Sequence, residues 1–145
     1  MNCVVLPEML KRKRGAIVTI SSLVSMFYLP LFSCYGATKA ACEAISCSLT
    51  HEKLPGVVFQ TLIPSFVNTK ILDYSNGMWN RLSFFAPDAD SYAKSAIGTL
   101  ALSNYTTGYL GHSLQIMGKF FPEIIQKYLH KWLVFNMFGK VSIPQ

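Results

Sequence analysis

Tyr35 and Lys39 stand four positions apart in the stretch SCYGATKAACEAI, and this spacing suits proton transfer. Residues four apart on a helix share a face, so the two side chains can meet around one small volume. A phenol with its ordinary pKa of about 10 is a poor acid or base at neutral pH, but a neighbouring ammonium group favours the phenolate. Ser22, at the end of an apolar run, can hydrogen-bond the same substrate oxygen. The three residues therefore predict proton transfer to or from an alcohol or carbonyl oxygen.

The same residue types also allow a purely structural interpretation. Tyr35 would then be a packed aromatic, Lys39 a solvated helix residue and Ser22 the cap of a helix or turn. A Tyr-x-x-x-Lys spacing alone is a weak signal, and a serine at the matching distance strengthens it. The interpretation as a site depends on whether the flanking elements bring the three side chains to one place.

A helix between two strands would position these residues. The apolar runs GAIVTI and VVFQTLI predict short strands buried on both faces, and residues 35–53 between them predict a helix that Pro55 and Gly56 end. The order of strand, helix and strand is typical of an α/β protein with a parallel sheet and right-handed crossovers. Ser22 and Pro64 follow the two strands. Both therefore belong to the carboxyl-end rim, where open parallel sheets bind their ligands.

The remaining middle segments predict a loop, a helix and a last strand. Residues 65–87 show no clear period, which is typical of a lid or binding loop. The large apolar side chains of this loop are either core or the wall of an apolar substrate pocket: Met78, Trp79, Phe84 and Phe85. A helix is predicted from Asp88 to about residue 102, and TTGYLGHSLQI predicts a short last strand.

Both ends of the chain predict helices with basic residues. The first helix ends at the cluster KRKR, after which Gly15 would supply the left-handed residue that closes it. This cluster supplies much of the net charge of +6, and a solvated helix end explains it better than an anionic membrane surface or nucleic acid. We therefore expect no nucleic-acid partner.

From Pro122 the chain predicts a basic amphipathic helix. Its apolar stripe comprises Ile124, Ile125, Tyr128, Leu129, Trp132 and Leu133. The side chains that would face away are Glu123, Gln126, Lys127, His130 and Lys131. The stripe would pack on its own domain or on a dimer mate, or lie in a bilayer interface. The predicted units are residues 1–121 and the helix of residues 122–145.

Composition excludes several classes of protein. Hydrophobic residues make up 51% of the chain and charged residues 14%, which excludes a disordered chain. The four cysteines form no CxxC pair, so free thiols in a reducing compartment and no metal site are expected. His51 is interpreted as a residue that stabilises the end of a helix. His112 and His130 lack neighbouring residues that could bind a metal ion with them. No signal peptide is expected at Met1, and no apolar run approaches the about 20 residues of a spanning helix.

The motifs GAIVTISS, YGATK and LIPSFVNTKI resemble the second half of short-chain dehydrogenases/reductases over nearly the whole chain. LPEMLKRKRGAIVTISS, PSFVNTK and YAKSAIGTLALSNYTTGYLGHSLQ add a narrower likeness to the membrane-associated 17-beta-hydroxysteroid dehydrogenase type 12 group. That group includes very-long-chain 3-oxoacyl-CoA reductases and hydroxysteroid dehydrogenase-like proteins. The resemblance implies that Tyr35 is the general acid/base. Lys39 would favour its phenolate and hold the nicotinamide ribose, and Ser22 would polarise the substrate carbonyl.

The segment after the second strand resembles the family's cofactor-binding segment. Pro64, Val67 and Thr69 match it, and the family's threonine hydrogen-bonds the cofactor carboxamide. Ser65 stands where the family usually has glycine. Neither G-x-x-x-G-x-G nor G-x-G-x-x-G occurs, so the resemblance implies the C-terminal part of a Rossmann-type doubly wound parallel sheet without its N-terminal dinucleotide-binding βαβ units. The family's catalytic asparagine would precede Met1, and we expect the chain alone to bind dinucleotide poorly.

The function implied by the resemblance is interconversion of a ketone and a secondary alcohol on a large apolar substrate, a steroid or a long-chain 3-oxoacyl-CoA. The expected cofactor is NADP(H) in preference to NAD(H). The location would be the cytosolic side of the endoplasmic reticulum membrane, or the cytoplasm. The helix that carries Tyr35 is the usual dimer surface of the superfamily, so a homodimer is an expectation as well. The alternative is a catalytically silent, truncated protein that binds a membrane or a partner.

Overall fold

A computed structural model describes residues 2–70 and 83–138 of the 145-residue chain. Helices and strands alternate through most of these residues. The elements in chain order are α1 (Asn2–Lys11), β1 (Gly15–Ile20), α2 (Ser33–His51), β2 (Val57–Leu62), α3 (Ala89–Gly98), β3 (Tyr105–Thr106), α4 (Leu110–Ile116) and α5 (Glu123–Phe138). The described part also contains two 3-10 helices, Leu23–Ser25, here called the rim turn, and Met117–Phe120.

The three strands form one parallel sheet in the order β1-β2-β3. β1 and β2 pair along their whole length, with Gly15 opposite Val57 and Ile20 opposite Leu62, and the end of β2 pairs with β3. Parallel neighbours need a crossover connection, and α2 and α3 lie in the two crossovers. The predicted α/β class, with part of a Rossmann-type parallel sheet, is therefore confirmed.

The central strand β2 is buried on both faces, as predicted, whereas β1 is not. Phe59 and Gln60 are neighbours in β2 that point to opposite faces, and both are buried. In β1, Val18 and Ile20 expose 41% and 58% of their surface, so the prediction for this strand is wrong. β1 is an outer strand of the described sheet, and α2 packs against it. Alternate side chains along β1 therefore stay exposed.

The turn between α1 and β1 differs from the prediction at Gly15. Lys13, with a φ of 50°, takes the left-handed conformation that the sequence predicts for Gly15. The N–H groups of Lys13 and Arg14 donate to the carbonyls of Leu10 and Met9, which closes the helix. Gly15 begins β1 instead, and a Cβ there would lie 2.5 Å from Met9 Sδ. Its small size leaves room for the methionine side chain.

The two middle helices begin close to their predicted starts. α2 begins two residues before Tyr35. Asp88 lies at the start of α3, as predicted, and it caps this helix, because its Oδ1 accepts a 2.9 Å hydrogen bond from the N–H of Ser91. α3 ends at Gly98, earlier than predicted, and the positive φ of 64° at Ala101 prevents the helix from continuing.

The segment TTGYLGHSLQI is mainly helical, so the predicted last strand is wrong beyond its first residue. β3 ends at Thr106, and α4 begins at Leu110. Gly108, with a φ of 73°, turns the chain between them, and a Cβ there would lie 2.9 Å from Ala96 Cβ. This turn carries the chain from the carboxyl end of β3 into α4.

α5 turns most of its apolar stripe away from the rest of the chain. His130 and Val134 are buried, and the His130 ring lies 5.3 Å from the Phe27 ring in an edge contact. The prediction that His130 faces away is therefore wrong. Five stripe residues instead expose between 46% and 71% of their surface: Ile124, Ile125, Tyr128, Leu129 and Trp132. None of the helices in the described ranges has the length and hydropathy needed to cross a membrane. The division into residues 1–121 and 122–145 stays a prediction.

Candidate active site

Ser22 lies where β1 ends and the rim turn begins. Its backbone is extended, and its hydroxyl oxygen accepts a 3.3 Å hydrogen bond from the N–H of Val24. Ser22 thus caps the rim turn, as its structural interpretation requires. A hydroxyl that accepts one hydrogen bond still has its own hydrogen to donate, so capping is compatible with a contact to a substrate oxygen.

Tyr35 and Lys39 lie in the first two turns of α2 and share one side of it. Lys39 Nζ is 5.8 Å from the centre of the Tyr35 ring and donates a 3.0 Å hydrogen bond to the carbonyl of Ile20, the last residue of β1. Tyr35 exposes 44% of its surface, and the edge of its ring contacts Phe32. An exposed phenol beside an ammonium group can meet a ligand from solvent. The catalytic roles of both residues stay predictions.

Gly36 lets the rim turn approach α2 directly beside Tyr35. A Cβ at this position would lie 3.2 Å from the carbonyl oxygen of Val24 and 3.5 Å from its side chain. The helix that carries Tyr35 and Lys39 therefore packs against the turn that Ser22 caps. The structure brings the three predicted residues to the same end of the sheet, as the rim hypothesis requires.

The segment after β2 reaches the same rim. The N–H of Leu23 donates a 2.8 Å hydrogen bond to the carbonyl of Pro64, which ties the rim turn to this segment. Pro64 and Val67 are half-buried, whereas Thr69 is exposed. The segment thus starts next to Ser22, and its role in cofactor binding stays a prediction.

Glu43 joins the site although the sequence-based prediction does not include it. Its carboxylate accepts a 2.5 Å hydrogen bond from the hydroxyl of Tyr105. It also lies 2.6 Å from Ser25 Oγ and 3.3 Å from Ser21 Oγ, which share their single hydrogens with the backbone carbonyls of Ser22 and Lys39. Burial and the hydrogen bond to Glu43 raise the pKa of Tyr105. The sequence signal for Glu43 is its position four residues after Lys39, which places both on one face of α2.

His112 and Gln115, on α4, hold the backbone that follows β2. Ser65 N–H donates to His112 Nδ1 at 3.3 Å, and His112 Nε2 lies 3.0 Å from the carbonyl of Phe66. Ser65 Oγ donates a 2.5 Å hydrogen bond to Gln115 Oε1, so this serine has a partner that glycine could not have. Burial lowers the pKa of His112, against the opposing effect of its backbone contacts. Their spacing of three on one helix is the only sequence signal for the pair.

Two phenylalanines of the loop predicted as a lid lie against α4. Phe84 and Phe85 are both exposed, with their rings 5.3 Å apart in an edge contact, and the Phe84 ring lies 6.4 Å from that of Tyr109. They are therefore not core residues. Met78 and Trp79, which the same prediction includes, lie outside the described residues.

The described residues suit the nicotinamide end of a cofactor and not its phosphates. Tyr35 and Lys39 offer a hydroxyl and an ammonium group at the rim, next to the segment that contains Val67 and Thr69. A pyrophosphate cradle needs a glycine-rich turn at a helix N-terminus, and neither glycine pattern occurs in the sequence. Within residues 2–70 and 83–138, no group of three His, Cys, Asp or Glu side chains could hold a metal ion.

Comparison with known proteins gives one family match and several relatives. A sequence model described as short chain dehydrogenase matches residues 1–78. "Putative steroid dehydrogenase 1" of Caenorhabditis elegans is 37% identical over 123 residues, which cover 83% of this chain and 38% of that protein. "Inactive hydroxysteroid dehydrogenase-like protein 1" of Homo sapiens is 38% identical over 130 residues, 89% of this chain and 38% of that protein.

A reductase is similar over a longer stretch. "Very-long-chain 3-oxoacyl-CoA reductase" of Bos taurus is 34% identical over 138 residues, which cover 94% of this chain and 40% of that protein. The chain therefore spans about two-fifths of the length of these relatives.

Proposed function

We propose, because the chain belongs to the short-chain dehydrogenase family, that its rim site serves the interconversion of a ketone and a secondary alcohol with a nicotinamide cofactor. The observation that supports this most directly is the position of Tyr35. Its phenol is exposed at the carboxyl-end rim, with Lys39 Nζ 5.8 Å from the ring centre. The rim turn that Ser22 caps packs against the same helix.

Each of the three residues has a separate task in this reaction. Hydride transfer to the carbonyl carbon is the chemistry that a bound nicotinamide supplies. Tyr35 gives its hydroxyl proton to the carbonyl oxygen during reduction and takes it back from the alcohol during oxidation. Ser22 donates a hydrogen bond to the same oxygen, which stabilises the negative charge that develops there. Lys39 places a positive charge beside the phenolate that Tyr35 becomes.

The cofactor proposal covers the nicotinamide end only. Tyr35 and Lys39 would hold the ribose next to the nicotinamide, and the segment Pro64–Thr69 would hold the carboxamide, with Val67 and Thr69 as its contacts. We propose NADP(H) rather than NAD(H), since the bovine relative is named a reductase and NADPH is the common reductant of biosynthetic reductions.

The proposed substrate is large and apolar, a steroid or a long-chain 3-oxoacyl-CoA. The names of the worm and bovine relatives support these two classes. Phe84 and Phe85 support an apolar wall, because their exposed rings lie beside α4 at the rim end of the sheet. Ligand pockets are lined predominantly by hydrophobic and aromatic side chains.

A chimeric protein tests the proposal. In it, this chain replaces the matching part of the bovine very-long-chain 3-oxoacyl-CoA reductase, and the rest of that protein, about three-fifths of its length, is retained. We expect the chimera to consume NADPH with a long-chain 3-oxoacyl-CoA, and a steroid ketone assayed in parallel distinguishes the two substrate classes. Tyr35→Phe should lower kcat by about 10²- to 10⁴-fold, the usual contribution of a general acid or base. Tyr28→Phe is the matched control, because Tyr28 is 93% exposed.

Two outcomes would contradict the proposal. Turnover that persists in the Tyr35→Phe chimera would remove Tyr35 from the reaction. A chimera that folds and enhances NADPH fluorescence, but turns over no ketone, would favour the second candidate function.

The second candidate is a catalytically silent protein that binds a membrane surface through α5. Tyr128 and Trp132 are exposed along this helix together with Ile124, and Lys127 and Lys131 lie between them in the sequence. Aromatic rings suit the interface of a bilayer, and lysines suit anionic headgroups. The human relative is itself named inactive. For either candidate we propose, on the family resemblance, a location at the endoplasmic reticulum membrane or in the cytoplasm and a homodimer through α2.

Vesicle co-sedimentation tests the second candidate. Vesicles that contain phosphatidylserine should carry down the wild-type protein, and Ile124→Glu/Trp132→Glu should abolish this binding. Ile97→Glu changes an exposed isoleucine on α3 and should bind as the wild type does. Equal binding by all three proteins would show that α5 is not the anchor.

A further inference from the structure

α4 contacts both ends of the segment that connects β2 to α3. Gln115 accepts a hydrogen bond from Ser65 Oγ and donates a 2.8 Å hydrogen bond to the carbonyl of Phe85. A Cβ at Gly111 would lie 2.1 Å from the carbonyl oxygen of Phe84, so the backbone of Phe84 rests directly on α4. One short helix thus fixes both the start of this connecting segment, after β2, and its end, before α3.

His112 adds two hydrogen bonds that require one protonation state of its ring. The carbonyl of Phe66 can only accept, so Nε2 carries the ring hydrogen and donates across 3.0 Å. Nδ1 then holds the lone pair that accepts from Ser65 N–H at 3.3 Å. Only the neutral imidazole with its hydrogen on Nε2 makes both bonds. A second proton, on Nδ1, would face the N–H hydrogen of Ser65 and remove this hydrogen bond.

The surroundings of the His112 ring are mainly aromatic. Tyr92, from α3, and Tyr109 place their rings 5.3 and 5.4 Å from it. Burial raises the pKa of Tyr92 to about 12, and its hydroxyl donates to a backbone carbonyl at 2.9 Å. The backbone groups of Phe66 and Phe85 favour the charged ring, but burial outweighs them and lowers the pKa of His112. Among the contacts of the ring in the described part of the chain there is no carboxylate, so His112 is held neutral.

We propose that His112 is a positioning residue, which fixes the course of the segment Pro64–Thr69 at the rim and so places the contacts for the nicotinamide carboxamide. This role rests on the proposed function, which assigns Val67 and Thr69 to the cofactor. The bonded groups belong to Ser65 and Phe66, which immediately precede Val67. His112 therefore acts through the backbone of this segment and not through contact with a ligand.

Two variants separate the two hydrogen bonds of the ring. In His112→Asn, the side-chain oxygen can take the place of Nδ1 and still accept from Ser65 N–H. In His112→Gln, the amide nitrogen can reach the place of Nε2 and still donate to the carbonyl of Phe66, but Ser65 loses its acceptor. His51→Gln is the matched control, because His51 is exposed at the end of α2.

Amide hydrogen exchange of the full chain, followed by NMR, measures the effect at Ser65 and at Asn68. The N–H of Asn68 donates a 2.8 Å hydrogen bond to the carbonyl of Pro87 and so reports the course of the segment. His112→Gln should lower protection at both amides by at least about tenfold, whereas His112→Asn and His51→Gln should stay within about threefold of wild type. Protection in β2 shows that each variant is folded.

The wild-type protein supplies a second measurement, which decides the matter if a variant does not fold. Protection at Ser65 and Asn68 should fall together as the pH is lowered through the pKa of His112, below its ordinary value of about 6.5. Unchanged protection at Asn68, either in His112→Gln or at acid pH, would overturn the proposal. Losses below about threefold in both His112→Asn and His112→Gln would also overturn it, since neither hydrogen bond of the ring would then hold the segment.

Failure of the proposed function has a different signature. A folded chimera that neither turns over a ketone nor enhances NADPH fluorescence would remove the cofactor role from the segment Pro64–Thr69, whatever the exchange rates show. Conversely, loss of turnover in the Tyr35→Phe chimera together with unchanged exchange in His112→Gln would leave the function standing and remove His112 from it.

Discussion

The hydroxyl of Tyr105 donates a 2.5 Å hydrogen bond to the carboxylate of Glu43 and so joins β3 to α2. The same carboxylate lies 2.6 Å from the hydroxyl oxygen of Ser25, in the rim turn, which shares its one hydrogen between Glu43 and the carbonyl of Ser22. Glu43 therefore links three elements around the candidate site. The bond from Tyr105 ends on a charged acceptor, and such bonds contribute about 1.5–3 kcal/mol where water is excluded, and less at a half-buried position.

Glu43→Gln should lower the free energy of unfolding by about 1–2 kcal/mol, because a neutral amide replaces the charged acceptor of the Tyr105 hydroxyl and of the shared hydrogen of Ser25. Urea denaturation measures this change. The pKa of Tyr105 should fall toward its ordinary value, since the carboxylate no longer disfavours the phenolate, and an ultraviolet absorbance titration follows it. Glu52→Gln, exposed just after the same helix, is the control. A Glu43→Gln protein as stable as this control would contradict the prediction.

Lys39→Met should weaken the contact between α2 and β1. It removes the 3.0 Å hydrogen bond to the carbonyl of Ile20, which should lower the free energy of unfolding by about 1 kcal/mol. In the chimera it should also reduce kcat by at least about tenfold, because a positive charge beside Tyr35 is lost. Lys94→Met, on the exposed side of α3, should change neither quantity. Stability and turnover that both match the control would refute the role of Lys39.

Acid should destabilise the protein through two buried histidines. Burial lowers the pKa values of both His112 and His130, so the unfolded chain binds more protons than the folded chain once the pH falls below about 6.5. Their contribution to stability is complete above that pH and is lost as the pH falls through the folded-state pKa values. The slope should not exceed about 1.4 kcal/mol per pH unit for each histidine.

Urea midpoints between pH 8 and pH 5 measure this slope. His112→Asn and His130→Asn should each flatten it, because each removes one group that takes up a proton on unfolding. A wild-type midpoint that does not decrease toward pH 5 would contradict the assignment of both histidines as neutral in the folded protein.

Gly111→Ala should push the backbone of Phe84 away from α4. Its Cβ would lie 2.1 Å from the carbonyl oxygen of Phe84, and forced displacement of packed backbone commonly costs about 1–3 kcal/mol. Gly98→Ala is the matched control, because a Cβ there meets nothing within 4 Å, and stability should be unchanged or higher by up to about 1 kcal/mol. Urea denaturation compares the two. Equal stability of both variants would show that Phe84 does not rest on α4.

Much of the fold follows from local patterns. The runs GAIVTI and VVFQTLI are short, apolar and rich in β-branched residues, and the breakers Pro55 and Gly56 separate the second run from the helix before it. A helix between two strands implies parallel pairing, which places Ser22 and Pro64 at one rim. The approach of Lys39 to Tyr35 follows from helical spacing alone.

Other predictions failed where a local pattern supports two outcomes. TTGYLGHSLQI has the apolar content of a strand, but the positive φ of Gly108 breaks the strand and a helix follows. The amphipathic pattern of α5 is real, yet contact with Phe27 decides that His130 and not Trp132 is covered. Periodicity shows that a helix has two faces, and only its neighbours determine which face is buried.

The sequence by itself determined the parallel α/β arrangement and the meeting of Tyr35 with Lys39, because both depend on residues close together in the chain. Only the tertiary structure decided the roles of Glu43 and His112. Glu43 meets Tyr105 across 62 positions, and His112 meets Ser65 across 47. A hydrogen bond between such distant residues depends on where separate segments arrive in space, and no local periodicity encodes that meeting.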